Sequence, residues 1–294
     1  MAQTIPAESP LEESTELRLL VQRIKDLPTL PTILMKILSL TADSSANADN
    51  LATIIGVDQT ISAKLLRLSN SAFYGCRGKV TSISRAIVVL GFNEVKSLAL
   101  GMSVFNAFAM TQGAKGEMSI EKLWKHSLAT AALSRFLIKK TGDPKGEASF
   151  TAGLLHDIGK VVFLHSFREE YKKALALASE KKCSLFQAEE EVFKVPHTVI
   201  GEWLCRKWQL PEEITQCVRR HSHPEEAGED YRALVSVVYL ADAVARKAFV
   251  GYGGDDQVPE ARGEVLERMG LLPSDMEEAD IFIEAEKANI EAMM

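Results

Sequence analysis

The chain has 294 residues, 46% hydrophobic and 25% charged, with a net charge of −6, a composition that fits one large or two medium globular domains. The acidity argues against a generally nucleic-acid-binding surface, though not against a local basic patch. Four scattered cysteines, Cys76, Cys183, Cys205 and Cys217, form no C-x-x-C pair. They read as small buried hydrophobes rather than a thiolate zinc site or a disulfide framework.

The first residues, "MAQTIPAESPLEES", are polar and acidic, without the basic start and apolar stretch of a signal peptide. Residues 1–16 are expected to be a flexible N-terminus. Helical periodicity then dominates. "LLVQRIKDL", "PTILMKILSL", "LATIIGV", "ISAKLLRLSNSAF", "SRAIVVLGF" and "VKSLALGMSVFNAF" place apolar residues at helical spacing or are wholly apolar. Within them, "LATIIGVDQTISAKLLRLSN" could form a helix-turn-helix presenting Lys64 and Arg67. Ile61, Leu65, Leu66 and Leu68 on the second helix would need burial, however, so DNA binding is disfavoured. "NSAFYG" after Ser69 reads as a helix stop with Phe73 and Tyr74 packed between lobes. The longest apolar run, around Leu98 to Met110, is broken by Ser103 and Asn106, too short for a membrane span; a soluble, cytoplasmic protein is expected.

"MTQGAKGEMS", Met110 to Ser119, carries two glycines between long helices and marks the main boundary. It separates an N-terminal helical lobe, 17–115, from a second lobe, 116–250. "GYGGDDQVPEARG", Gly251 to Gly263, opens an acidic tail, 251–294, of two helices. Pro31, Pro196 and Pro211 are expected just inside helix starts, and "SLFQ" at Ser184 and "SDME" at Ser274 read as capping boxes. No run alternates as a strand does. The fold expected is all-α and two-lobed.

Chemistry enters at "GLLHDIGKVVF", Gly153 to Phe163, where His156 and Asp157 interrupt an apolar run. Burying them is costly without a partner. Neighbours on a helix point about 100° apart, but both side chains can bend toward one ion. Lys160 shares the face of His156, a poor arrangement for more metal and a good one for phosphate. Gly153 and Gly159 leave room for a ligand or a facing helix. Other helices also carry inward polar groups. His126 shares its face with Leu123, Thr130, Leu133 and Leu137. Asp242 lies among Val238, Tyr239, Ala241 and Ala243, with Arg246 one turn on as a plain ion-pair partner. His197 falls at a helix N-terminus, where the dipole disfavours imidazolium, with Gly201 keeping its face open. His221 falls near a helix C-terminus, as a cap or as a ligand. His165 has no evident role, and His223 is expected to be exposed. This mix of nitrogen and carboxylate donors suits zinc, iron or manganese, and a bound metal could activate water for phosphoester hydrolysis.

The order His126, His156–Asp157, Asp242 resembles the H…HD…D signature of the HD superfamily of metal-dependent phosphohydrolases. "HDIGK", then "PHTVIG" and His221, looks like its HD-GYP branch. "LPTLPTILMKIL", "LATIIGVDQTISAKLLRLSNSAFYG" and "SISRAIVVLGFNEVKSLALG" resemble the HDOD family, the HD-related output domain of bacterial signalling proteins, over about Leu27 to His221. The resemblance implies an all-helical fold and a role in signal transduction, in a family whose metal-binding residues are often degraded. Here His126, His156, Asp157 and Asp242 match the first metal site, His197 and His221 match positions that help bind a second metal, and Lys160 matches the lysine near the phosphate. One or two divalent ions are therefore expected. Ser222 stands where a second consecutive histidine belongs, and "HSHPEEAGEDY" has no Gly-Tyr-Pro, which counts against hydrolysis of cyclic di-GMP. The first reading is a regulatory module acting through a signalling protein partner or a phosphorylated small molecule. The alternative is a metal-dependent phosphohydrolase with Asp157 and Lys160 as catalytic residues, Lys160 clamping phosphate. Oligomeric state is left open.

Overall fold

The computed structural model describes residues 15–24, 27, 32–42, 47–70, 79–109, 118–143, 146, 148–255, 257–258 and 263–291. Among them there are helices and no strand. The first six helices are α1 (Thr15–Gln22), α2 (Thr32–Ala42), α3 (Ala48–Gly56), α4 (Gln59–Ser69), α5 (Ile83–Leu90) and α6 (Phe92–Ala109). Then come α7 (Ile120–Thr141), α8 (Ser149–Leu155), α9 (Ile158–Ser166), α10 (Arg168–Lys181), α11 (Leu185–Phe193), α12 (His197–Lys207), α13 (Glu212–Arg220) and α14 (Glu229–Lys247). The tail adds α15 (Gly263–Met269) and α16 (Pro273–Glu291).

Local chemistry sets many of the boundaries. Asn47 and Asn50 form a reciprocal capping box at α3, and Ser184 and Gln187 form the expected one at α11. Ser82 and Ser119 cap α5 and α7. At Ser274 the expectation fails. α16 already begins at Pro273, and the Asp275 carboxylate accepts the Leu272 N–H (2.8 Å). Pro196 and Pro211 are N-caps rather than first helical residues, because each holds the extended ψ a cap requires. Pro31, Phe73, Tyr74, Cys76 and most of the Met110–Ser119 boundary lie outside the described residues.

One continuous apolar core runs from Leu17 to Ile290. α6 joins the early helices to the later ones, packing on α2, α4 and α5 and also on α7, α8 and α9. α7 is the central strut, flanked by α8, α14 and α16. Ile61 and Leu65 of α4 are buried, and Lys64 donates to Asn106 of α6 (3.2 Å), so the second helix of the helix-turn-helix reading is packed into the lobe. Among the described residues no single helix is long and apolar enough to cross a membrane; α5 and α6 approach that composition only together, and they meet at 119°.

Candidate metal centre

His156 and Asp157 do not share a helix. α8 ends at Leu155 and α9 begins at Ile158, so His156 is the last cap of one helix and Asp157 the first cap of the next. The break turns both side chains to one point. Gly159 makes the next step possible, since a Cβ there would fall 1.9 Å from the His197 carbonyl oxygen and 2.9 Å from the Gly201 nitrogen. α9 and α12 therefore touch backbone to backbone. The expected room beside Gly159 is taken by a facing helix, and Gly201 meets Gly159 rather than leaving an open face.

These contacts bring all seven expected residues together, none more than 4% exposed. Asp157 is the hub. Its Oδ2 lies 3.2 Å from His156 Nε2 and 3.7 Å from His126 Nε2, while its Oδ1 lies 3.4 Å from His197 Nε2 and 3.5 Å from His221 Nε2. Two triads result, His126–His156–Asp157 and His197–His221–Asp157, each compact enough to hold a metal ion. Asp242 Oδ1 flanks the first, 3.0 Å from His126 Nε2 and 3.8 Å from His156 Nε2.

The rings are locked from behind. His156 Nδ1 donates to the Gly153 carbonyl (2.7 Å), His221 Nδ1 to the Val218 carbonyl (3.1 Å), and His197 Nδ1 to Glu189 Oε2 (2.5 Å). A neutral ring whose Nδ1 carries the proton has a lone pair at Nε2. His221 is thus both cap and centre residue, its Nδ1 closing α13 and its Nε2 facing Asp157. Buried His126 Nε2, His156 Nε2 and Asp157 Oδ1 make no well-aligned hydrogen bond, though His126 Nε2 stands 3.0 Å from Asp242 Oδ1. Buried polar atoms rarely go without partners, and these converge, so the donor set fits a cation.

The charges agree. Burial pushes His221 down to about 4 and also lowers His126. For His156 burial acts the same way, but the adjacent Asp157 charge outweighs it and the pKa ends raised. Burial favours neutral Asp157 and Asp242, yet His156 and Lys160 hold the first, and Arg246 and His126 the second, well below the usual carboxylate range. Both readings of Asp242 coexist: Arg246 pairs with it (2.7 Å) while its Oδ1 faces His126.

Lys160 stands at the centre, beside Asp157. It is fully buried, and its ammonium donates to Asp157 Oδ2 (2.7 Å) and to the Gly253 carbonyl (2.9 Å). Gly253 belongs to a strap, residues 251–255, that closes the centre from one side. Tyr252 N–H donates to the Lys122 carbonyl (3.0 Å), a Cβ on Gly253 would touch the His126 ring at 3.0 Å, and Asp255 pairs with Arg246 (3.2 Å) and accepts the Leu185 N–H (3.0 Å). His165 packs edge-on against Phe108, and His223 is half-buried against Phe186 instead of exposed.

Two residues escaped the sequence reading. Glu189 is fully buried, taking both the Nδ1–H and the backbone N–H (2.8 Å) of His197, and Tyr171 O–H donates to its other oxygen (3.0 Å). In "LFQAEEEVF" three successive acids look like a solvated face. The available signal was spacing: Glu189 lies four residues after Leu185 and four before Phe193, both buried.

An all-helical core that gathers an H–D pair, three further histidines and an aspartate about one buried carboxylate is of the HD superfamily type. The HDOD domain model matches residues 27–224, and the chain belongs to the HDOD family. An uncharacterised protein of Treponema pallidum (strain Nichols) is 28% identical over 228 residues, 77% of this chain and 44% of that protein. The chain thus spans less than half the length of that relative. A Geobacter sulfurreducens HDOD domain protein of unknown function superposes with a TM-score of 0.79 at 26% identity, over 95% of this chain and 97% of the other. A Marinobacter aquaeolei VT8 protein, provisionally named for signal transduction, shares the fold with a TM-score of 0.78 at 22% identity, over 95% and 64%.

Proposed function

We propose that this HDOD protein is a regulatory signal-transduction module built around a divalent metal centre held by His126, His156, Asp157, His197, His221 and Asp242. The observation that carries this is Asp157, a buried carboxylate shared by two triads, with four imidazole Nε2 atoms 3.2–3.7 Å from its oxygens. Iron, manganese or zinc suits these donors. A bound ion supplies charge neutralisation and a Lewis acid. The chain's own residues do the rest: Lys160 steadies Asp157 Oδ2, the Gly153 and Val218 carbonyls fix two rings, and Glu189 fixes a third. Regulation is favoured over turnover because every donor is buried and the strap occupies Lys160. The module acts through a signalling protein partner or a phosphorylated small molecule.

The second reading, a metal-dependent phosphohydrolase, is favoured by the number of donors. Each triad offers three, the number catalytic metal sites use while leaving a position for water. Lys160 then exchanges Gly253 for a phosphoryl oxygen, and Asp157 stays at the reacting centre.

Elemental mass spectrometry on untagged, anaerobically purified protein tests the centre, with His156 and Asp157 substituted together as control. Metal present in the wild type and lost from the folded control is expected; well-folded wild type that takes up no metal refutes the centre. Phosphodiester turnover abolished by Asp157→Asn selects the second reading.

A further inference from the structure

The two halves of the centre differ in which of the protein's own cations reach them. On the His126–His156 side, Lys160 Nζ bonds Asp157 Oδ2 (2.7 Å), and Arg246 grips both oxygens of Asp242 (3.0 and 2.7 Å). Both carboxylates there are already compensated, and two fixed cations stand against a third.

The other side is built differently. His197 Nε2 and His221 Nε2 lie 3.3 Å apart, and each lies 3.4–3.5 Å from Asp157 Oδ1. Both rings have committed their Nδ1–H groups, His197 to Glu189 and His221 to the Val218 carbonyl. The three atoms that face one another are thus His197 Nε2, His221 Nε2 and Asp157 Oδ1. Lys160, the lysine on Asp157, bonds the opposite oxygen. Donors placed about 2.1 Å from a tetrahedral ion are roughly 3.4 Å apart, and this triangle has that edge.

The triangle is also braced from outside. Glu189 is fully buried, joined to His197 at both ring and backbone and to Tyr171 at its other oxygen. A carboxylate behind a ligating histidine sets its tautomer, its orientation and its basicity.

We propose that the metal centre is asymmetric: one ion binds tightly at His197, His221 and Asp157, positioned by Glu189 and Tyr171, while Lys160 and Arg246 weaken the His126–His156–Asp242 half. This rests on the reading above that the centre binds metal. Glu189 and Tyr171 are positioning residues, acting through His197.

Zinc and manganese titrations against a competing chelator test it on the full chain, with folding followed by circular dichroism. Wild type is expected to show one tight equivalent, with any second weaker by about 100-fold. H197Q should lower the tight affinity by about 100-fold or more and H126Q by less than about tenfold; E189Q should lower it about 10- to 100-fold and Y171F by less. Pulsed electron paramagnetic resonance of the manganese form should detect two coupled imidazoles in H126Q as in wild type, whereas an ion held by His126 and His156 would lose one of its two in H126Q. If H197Q fails to fold, E189Q and the imidazole count of H126Q decide. Two equivalents of like affinity, a larger loss in H126Q than in H197Q, or wild-type affinity in E189Q overturns the asymmetry. Absence of binding by folded wild type overturns the metal reading itself and is thereby distinguishable.

Discussion

Alanine at Gly159 should damage this protein more than the equivalent change at Gly201, although the two glycines face each other. The added Cβ at 159 would lie 1.9 Å from the His197 carbonyl oxygen, 2.8 Å from its carbonyl carbon and 2.9 Å from the Gly201 nitrogen. All three are backbone atoms, so no rotamer relieves the clash. α9 and α12 must part by more than about 1 Å to reach ordinary van der Waals contact. Overpacking costs roughly 1–3 kcal/mol, and a rigid target places G159A near about 3 kcal/mol, a fall in Tm of about 6–12 °C for a large domain. At Gly201 the nearest atom is Val218 Cγ1 (2.7 Å), the end of a side chain that can turn, and the next is Gly159 nitrogen at 3.2 Å. G201A should therefore lose about 1 kcal/mol. Thermal unfolding of both variants in chelator measures the structural cost. Zinc titration measures how far His197 has been carried from Asp157, now 3.4 Å away. A G159A protein with wild-type Tm, or a G201A protein less stable than G159A, would refute this account of the helix crossing.

Two further outcomes follow from burial and from the strap. Burial pushes the Cys205 and Cys217 thiols up, so each stays protonated when folded while its unfolded counterpart ionises. The unfolded chain then binds fewer protons at high pH, and the stability contribution, whole below about pH 9, falls by about 1.4 kcal/mol per pH unit per thiol above it. Urea midpoints at pH 8 and 10 should show a smaller alkaline loss in Cys205→Ala than in wild type; an equal loss would contradict the burial argument. Gly251 has φ +68°, and a Cβ there would meet the His126 nitrogen and the Lys122 carbonyl oxygen at 2.4 Å. Gly251→Ala should unseat the strap, seen as faster hydrogen exchange at Tyr252 and faster loss of bound metal to chelator. Unchanged exchange at Tyr252 would show that the strap does not need glycine.

The sequence carried much of this architecture because its signals were local. Apolar periodicity placed most of the helices, and Ser184 with Gln187 announced the start of α11. The buried donors were legible for a related reason: His126, His156, Asp157 and Asp242 each interrupt an apolar face, and a polar group there needs a partner. What the sequence hid was set by three-dimensional packing. Nothing within "LLHDIG" fixes a helix break between His156 and Ile158, since the apolar pattern runs on through Ile158, Val161 and Val162. Lys160 was placed on the right face, but its engagement with Gly253 joins residues 93 positions apart. Glu189 was masked by Glu190 and Glu191, which made its segment look solvated.

The HDOD match ends at residue 224, yet the core does not. α14, which supplies Asp242 and Arg246, packs along α7 beyond that point, and α16 packs beside it. Phe282 stacks on Phe136 at 4.7 Å, and Lys287 donates to the Ala248 carbonyl (2.6 Å), just before the strap. The stretch marked by family likeness is thus smaller than the packed core. Ending the polypeptide at 224 would strip one flank of α7, leave His126 without its cover and turn buried apolar surface toward solvent. A fusion joint or truncation point placed there divides a single hydrophobic interior that runs on to Ile290.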